Sequence, residues 1–417
     1  MPSFNFARGN AKKLLSLPLY AMGSFASLMV PRSDRQWVFG SGGGVGEGSL
    51  AVLSVARGGD PSLRITWMAR NPDDLERARA LGLRAVLATS ARGFWATLRA
   101  RVAVVTHGFG DVNRYGTRGA FVAQLWHGIP LKLIQLDSPV TMRSGILSRS
   151  RLLRGQLRWF YRRGYRRGIT LMPASSELVA ARLRSAFGLP SDRVVVTGDP
   201  RDDVLCRGTA ETRRDAAKAL LAERLPSAGE SRVVLFAPTW RDGAVDPGVP
   251  SERDWSRLDS WLRATDTFLV IRPHPLGIGD YLAGPARSDR IALLTPAAQR
   301  DINPVLPAVD ALITDYSSIA FDYSLTAGPI FFLAPDEEEY TASRGLYEPY
   351  REFSGARQVR SWPALVSQLE RYDSDETWAE AVRQHTVSLR DRHFEFLDGH
   401  NAERVYEQIT RRLKARQ

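Results

Sequence analysis

"VFGSGGGVGEGSLAVLSVA", residues 38–56, reads as an apolar strand, a glycine-rich turn and a helix. That order is how a doubly wound α/β fold presents backbone N–H groups to a phosphate. One register, Gly46-Glu47-Gly48-Ser49-Leu50-Ala51, satisfies G-x-G-x-x-A. A nicotinamide site of this type also needs an acidic residue about 20 positions on, at the end of the second strand. Here the next apolar run, "LRITWMA" (63–69), ends in Arg70-Asn71, and the first acid is Asp73 in the following turn. The turn is therefore not a dinucleotide fingerprint, and its neighbours must say what it serves.

Working outward, short β-rich runs alternate with helical stretches. They are "RQWVFG" (35–40), "LRITWMA" (63–69), "RAVLAT" (84–89), "RVAVVTH" (101–107), "FVAQLWH" (121–127), "GITLMPA" (168–174) and "DRVVVTG" (192–198). A second series follows: "SRVVLFAPT" (231–239), "TFLVIRP" (267–273), "IALLT" (291–295), "DALITD" (310–315) and "PIFFLAP" (329–335). Continuous Val/Ile/Leu runs mark strands buried on both faces, hence parallel sheets covered by helices. Two series predict an α/β chain of two doubly wound, Rossmann-type domains, at 33–205 and 231–399. A helical, charged linker is expected at 206–230, and an amphipathic helix, "HNAERVYEQITRRLKARQ" (400–417), that could dock back on the first domain.

The 417 residues are 44% hydrophobic and 24% charged, ordinary for a globular chain with ample core. The single cysteine, Cys206, excludes a disulfide framework and a cysteine-based zinc site. No carboxylate cluster dedicated to a metal is legible, and no cofactor is expected. The net charge of +12 is lopsided: residues 1–208 hold 31 Lys/Arg against 13 Asp/Glu, and the remainder 26 against 32. A basic front half suggests a polyanionic partner such as nucleic acid, an anionic membrane or a phosphate-bearing polymer.

In open α/β sheets, ligands sit beyond the carboxyl ends of strands. "FVAQLW" empties into His127-Gly128-Ile129-Pro130-Leu131-Lys132, where an imidazole on a stiff turn could take a proton from an attacking hydroxyl. "TFLVI" ends in Arg272-Pro273-His274-Pro275, a histidine between two prolines beside an arginine, suited to a phosphate oxygen. "DALIT" leads to Asp315-Tyr316-Ser317-Ser318, with Asp315 a candidate helix cap and Asp322 one turn beyond Ser318. "VVLF" ends in Thr239-Trp240-Arg241-Asp242, and "VVVT" in Gly198-Asp199-Pro200-Arg201-Asp202-Asp203. Each has a bland reading, a capped strand end or an ion-paired turn. Together they place histidines, arginines and hydroxyls at one predicted cleft, fit to bind a pyrophosphate and activate a hydroxyl.

"WHGIPLK", "GDPRDD", "APTWRD", "RPHP", "TDYSSIAFDY" and "EEYTASRGLYEPY" stand in the order seen in the CDP-glycerol glycerophosphotransferase family, which this chain resembles from about residue 120 to 350. That family includes teichoic-acid primases, polymerases and related capsule-polymer transferases. The resemblance implies a GT-B-like fold, a peripheral place on the cytoplasmic face of the membrane, and transfer of glycerol phosphate from CDP-glycerol to a hydroxyl with release of CMP. By motif, His127 would be the general base and His274 would neutralise donor phosphate. Thr239, Arg241, Arg272, Asp315, Ser317 and Ser318 would line the donor, with Asp322 nearby. Gly128, Lys132, Pro200, Arg201 and Asp202 would support the cleft. Gly42, Gly43 and Gly44 would floor the acceptor site, since the first domain of a GT-B fold handles the acceptor. Two departures, Ile129 where the family usually has Thr and Asp199 where it usually has Arg, bear on donor or acceptor identity and not on the fold.

"RSGILSRSRLLRGQLRWFYRRGYRRG" (143–168) interleaves nine arginines with Trp159, Phe160, Tyr161 and Tyr165. This reads as a surface for an anionic membrane or polyphosphate acceptor in preference to nucleic acid, with a plain solvated face as the alternative. Within the basic and apolar segment 1–32, "LLSLPLYAMGSFASLMV" (14–30) is too short to span a bilayer and lacks a signal-peptide cleavage pattern. It is either an interfacial helix or a helix packed on its domain. The rival functions are a nucleotide-sugar glycosyltransferase or epimerase of the same architecture, and a non-catalytic module that binds anionic polymer.

Overall fold

The computed structural model describes residues 17–139, 151–241, 243–274 and 276–416. The sequence expectations on residues 1–16, 143–150, Asp242, Pro275 and Gln417 lie outside the described residues. The chain divides into two compact units, one of Met1–His127, Ile134–Asp203 and Asp398–Gln417, the other of Gly128–Leu133 and Val204–Leu397.

In the first unit, strands β1 (Ser33–Phe39), β2 (Arg64–Ala69), β3 (Ala85–Leu87), β4 (Ala100–Val105) and β5 (Phe121–Gln124) form a sheet in the order β3-β2-β1-β4-β5. Every neighbouring pair is parallel. β6 (Met172–Ala174) and β7 (Val194–Val196) form a further parallel pair, joined to β5 by a bridge between Ala123 and Leu171. Their strand faces bury Trp37, Phe39, Trp67, Val102 and Val104, which is why these segments read as unbroken apolar runs.

The C-terminal helix Asn401–Lys414 completes this core from the far end of the sequence. Ala402, Val405 and Ile409 are buried in the same cluster as Val52 and Trp37. Burying Val405 and Ile409 contributes about 1.5–3 kcal/mol each. Asp203 caps the helix start, accepting from Asn401 N and Ala402 N at 2.8 Å each.

In the second unit, β8 (Arg232–Ala237), β9 (Thr267–Ile271), β10 (Ile291–Leu293), β11 (Ala311–Thr314) and β12 (Ile330–Phe332) repeat the order as β10-β9-β8-β11-β12, again all parallel. The core gathers Phe236, Trp255, Trp261, Ile271, Ile313 and Trp362. The expected linker contains the helix Ala210–Arg224, which buries Ala217 and Leu221 and packs on the 3₁₀ turn Asn303–Ala308 of this unit.

Two further helices belong to the first unit. Leu17–Met29 leaves Met22, Phe25, Leu28 and Met29 exposed, while Gly23 and Tyr20 lie against Tyr115. Arg151–Gly168 exposes Trp159 and Phe160, with Arg163 stacked on Trp159. Among the described residues no helix is long and apolar enough to cross a membrane.

Candidate active site

Each unit carries its own constellation at the carboxyl ends of its strands. In the first, His127 follows β5 on a backbone forced out of the strand conformation. Trp126 before it takes φ 66° and Gly128 after it φ 118°. A tryptophan in the left-handed region costs about 1–3 kcal/mol and persists only where its surroundings hold it. Here Trp126 is buried, edge-on to Phe187 at 5.1 Å. The twist turns His127 away from the sheet, and Arg201 fixes the bend by donating from Nη1 to the His127 carbonyl at 2.7 Å.

A second imidazole lies on the first. His107, just past β4, stacks on His127 with ring centroids 4.1 Å apart and planes 6° from parallel. Thr106 Oγ1 lies 2.8 Å from His107 Nδ1 and 2.9 Å from Ser41 Oγ, and Ser41 in turn bonds Glu47 at 3.2 Å. Asp111 accepts from the backbone N–H groups of Thr106, His107 and Gly108, holding this turn closed.

The glycine loop meets this pair directly. A Cβ on Gly42 would collide with His107 Cγ and lie 2.6 Å from its Nδ1, so only glycine lets the ring settle there. Gly43 N donates to Ser41 Oγ at 3.1 Å, and Gly44 sits at φ 90°. Asp74 accepts from Val45 N at 2.8 Å and Arg70 N at 2.9 Å, tying the loop to the end of β2.

His127 is half-buried, and its Nδ1 is buried with no hydrogen-bond partner. Burial first, then the electrostatic influence of neighbouring His107 and Arg201, hold its pKa well below the ordinary imidazole value, against a smaller opposing bond from the Thr106 backbone. His127 is thus unprotonated at neutral pH. Pro200 and Asp202 are buried in the 3₁₀ turn Pro200–Asp202, whose start Asp199 caps by accepting from Arg201 N.

In the second unit, Arg241 is enclosed by acids and rings. It reaches Asp336 twice, Nε to Oδ2 at 2.7 Å and Nη2 to Oδ1 at 2.9 Å, and Asp315 from Nη1 at 3.1 Å. Nη1 also donates to the Thr239 carbonyl at 2.5 Å. Its guanidinium packs over Tyr316 and Tyr340, whose rings stack 4.0 Å apart. Four of its five N–H groups are therefore spent on the protein itself. Burial works against its charge, but the Asp336 hydrogen bond and the two carboxylates prevail and raise its pKa. Arg241 is a pin for the turn after β8.

Asp315 is fully engaged as well. Its Oδ1 accepts from Thr239 N at 2.9 Å and Tyr316 N at 2.6 Å. It does not cap the following helix, Ile319–Ser324; Ser318 stands at that N-cap and makes no side-chain capping bond. Arg272 likewise turns inward, to the carbonyls of Leu294, Gln299 and Arg300, and burial lowers its pKa to about 10.

What remains outward is a smaller set. Thr239 Oγ1 is buried without a partner, and Ser317 and Ser318 are half-buried at the mouth of β11. His274 is exposed and stacks on Trp240 at 5.7 Å. Its Nδ1 accepts from Leu276 N at 3.1 Å, which leaves Nε2 as the N–H donor of a neutral ring. Desolvation first, then Lys132 and Arg272, push its pKa down to about 4. Lys132 belongs to this unit, where it bridges Leu346 and its charge reaches both His274 and Asp315. Gly128 opens the same segment, and Asp322 is buried within its helix.

The histidine-bearing strand ends thus include one the sequence reading passed over. His107 ends "RVAVVTH", and the rule that selected His127 selects it too. Asp336, beyond β12, was also missed, although it too follows a strand.

Two doubly wound units with strand-end imidazoles and hydroxyls define a GT-B-like architecture. The chain belongs to the CDP-glycerol:poly(glycerophosphate) glycerophosphotransferase family, whose model matches residues 25–411. Among curated relatives it is 32% identical over 248 residues to the teichoic acid ribitol-phosphate polymerase TarK of Staphylococcus aureus (strain NCTC 8325 / PS 47), covering 59% of this chain and 46% of that protein. It is 27% identical over 294 residues to the teichoic acid glycerol-phosphate transferase of the same strain, covering 69% and 70%. The chain spans less than half the length of the ribitol-phosphate polymerases it matches. Among solved structures, a variant of the wall teichoic acid polymerase TagF soaked with CDPG aligns over 100% of both chains at TM-score 0.74 and 19% identity. A UDP-N-acetylglucosamine 2-epimerase aligns at 0.55 and 14%, over 91% of this chain and 96% of its own.

Proposed function

We propose that the chain moves glycerol phosphate, or a related alditol phosphate, from a CDP-activated donor to a hydroxyl of a cell-surface glycopolymer or its lipid-linked precursor. His127 carries this reading: an unprotonated imidazole, held on a strained turn, with no protein partner for its buried Nδ1. The acceptor hydroxyl gives its proton to His127, and the oxygen attacks the β-phosphorus. The bond from that phosphorus to the bridging oxygen breaks, and CMP leaves with the electron pair.

The second unit supplies the donor contacts. Thr239, Ser317 and Ser318 offer hydroxyls, and His274 offers an Nε2–H to a phosphate oxygen. Because His274 is neutral at physiological pH, it donates a hydrogen bond, and Lys132 brings the positive charge. Arg241, Arg272 and Asp315 act by shaping the turns that present those groups.

Two surfaces of the first unit support a place on the cytoplasmic face of an anionic membrane rather than on nucleic acid. The Leu17–Met29 helix exposes a run of large apolar side chains, and the Arg151–Gly168 helix couples arginines with exposed Trp159 and Phe160.

The test is CMP release from a panel of CDP-alditols and nucleotide sugars by purified protein with membranes. Removing an imidazole base costs about 10²–10⁴-fold in rate. His127→Ala is expected to lose turnover by that factor while melting like the parent. Near-normal CMP release by folded His127→Ala would remove the base from this reading, and release of UDP alone would favour the nucleotide-sugar alternative.

A further inference from the structure

The glycine loop is the most conspicuous motif of the sequence, and the donor chemistry above leaves it unused. Its structural content is a seat. Gly42 lies flat under the His107 ring, where any Cβ would displace it, and Thr106 Oγ1 holds Nδ1 of that ring from the side. Asp111 secures the His107 backbone, and Ser41 links Thr106 to the loop and to Glu47. All of this fixes a side chain that is itself exposed and whose one face is occupied by His127.

Among the described residues His107 belongs to no buried apolar cluster, and the turn after β4 is closed by Asp111, which accepts from three backbone N–H groups. What the arrangement does fix is the orientation of His127. Its ring is flanked by Trp126 at 4.0 Å and by His107 at 4.1 Å, its buried Nδ1 is without a side-chain partner, and the one bond that bears on the ring comes from the Thr106 backbone. Imidazole bases are ordinarily oriented through the nitrogen that does not react. Here both faces are held as well.

We propose that His107 is a positioning residue for His127: seated on the glycine loop, its ring holds the His127 imidazole in the orientation that receives the acceptor's proton. The proposal rests on the functional reading above, and it gives the glycine loop its purpose. The charged groups that bear on His127 include His107 from the β4 turn and Arg201 from the turn after β7, and Glu47 bonds Ser41, which bonds Thr106. Of these, His107 is the one that a flat, uncharged ring can replace.

The test uses the full chain and three variants. His107→Ala removes the stack, His107→Phe keeps a flat ring without charge, and Gly42→Ala pushes the ring off its seat. Misplacing a catalytic group by about 1 Å costs on the order of 10²-fold. His107→Ala and Gly42→Ala are expected to lower kcat for CMP release by about 10–10²-fold with donor KM little changed. His107→Phe is expected to recover most of that loss. It should also move the acid limb of the rate profile to higher pH, because a ring that bears no charge takes the place of one whose electrostatic influence disfavours protonated His127.

The second readout needs no turnover. The chain has six histidines, so ring signals of labelled protein can be assigned by single substitution. The His127 signal should titrate at higher pH in His107→Phe than in the parent. Unchanged kcat in His107→Ala, or an unmoved His127 titration in His107→Phe, overturns the proposal. Should the parent release CMP from no CDP-alditol, the functional reading fails while the titration still decides whether the two rings are coupled. If His107→Ala does not fold, the kcat of Gly42→Ala and the titration of His107→Phe decide in its place.

Discussion

Replacing Arg241 by methionine separates structure from chemistry in the second unit. The guanidinium is buried between Asp315 and Asp336, with side-chain exposures of 7%, 4% and 18% for the three residues. Removing one partner of a buried ion pair leaves uncompensated charge and costs about 3–5 kcal/mol. Methionine retains apolar contact with the stacked Tyr316 and Tyr340 rings, so most of the loss is electrostatic. A unit of about 200 residues shifts its midpoint by about 2–4 °C per kcal/mol, which gives a fall of about 6–20 °C at pH 7.

The pH dependence carries the sharper test. In the parent, burial opposes the charged Asp336 but the bond to Arg241 prevails and holds its pKa below the ordinary value. That stabilisation is present above the unfolded carboxylate pKa of about 3.9 and is lost as pH falls through the lowered folded value. Asp315 runs the other way, raised by burial despite the opposing charge of Arg241. Without the arginine both carboxylates rise, so the folded variant takes up protons that the unfolded chain releases. Arg241→Met should therefore regain stability relative to the parent as pH drops from 8 to 5. Calorimetry across that range, with hydrogen exchange assigning the transition to residues 204–397, measures it. A gap below about 1 kcal/mol at pH 7, or one equal at pH 5 and 8, refutes the reasoning.

Two further outcomes follow from the same geometry. Thr239→Val removes a buried hydroxyl that stands beside the Asp315 carboxylate. The variant should bind a CDP-alditol about tenfold more weakly in calorimetric titration; undiminished affinity would take Thr239 out of the donor site. Gly198→Ala places a Cβ against the Asn401 side chain at φ 77°, and should cost the first unit at least about 1–3 kcal/mol, read as earlier hydrogen exchange in Asn401–Lys414. Parent-like exchange there would show that the helix docks without this contact.

All twelve strands among the described residues were legible from their apolar stretches, because the buried part of a strand covered on both faces is predominantly Val, Ile, Leu, Phe and Ala, while polar residues such as Asp34 and Arg35 of β1 stand at its exposed start. Their ends were not. "FVAQLWH" continues the apolar pattern to His127, yet the strand stops at Gln124, because Trp126 takes a left-handed backbone that no apolar pattern announces. Candidate site residues were legible as types and positions, through the rule that chemistry collects beyond strand carboxyl ends. Consistent use of that rule would have added His107 and Asp336. What no spacing could reveal is how each guanidinium spends its N–H groups. Arg241 and Arg272 look like phosphate ligands in sequence; the first meets Asp336, 95 residues away, and the second meets three backbone carbonyls.

The docking of Asn401–Lys414 into the first unit also dictates an order of events on the ribosome. Residues 204–397 form nearly all of the second unit and emerge in one stretch, so that unit has its core strands and helices before Asn401 appears. The first unit, although its strands are synthesised earlier, lacks Val405 and Ile409 of its core, and the partner of Gly198, until Asn401–Lys414 leaves the exit tunnel. The usual sequence in which N-terminal domains finish folding first is thereby inverted. The imidazole pair of His107 and His127 then sits in the unit that matures later.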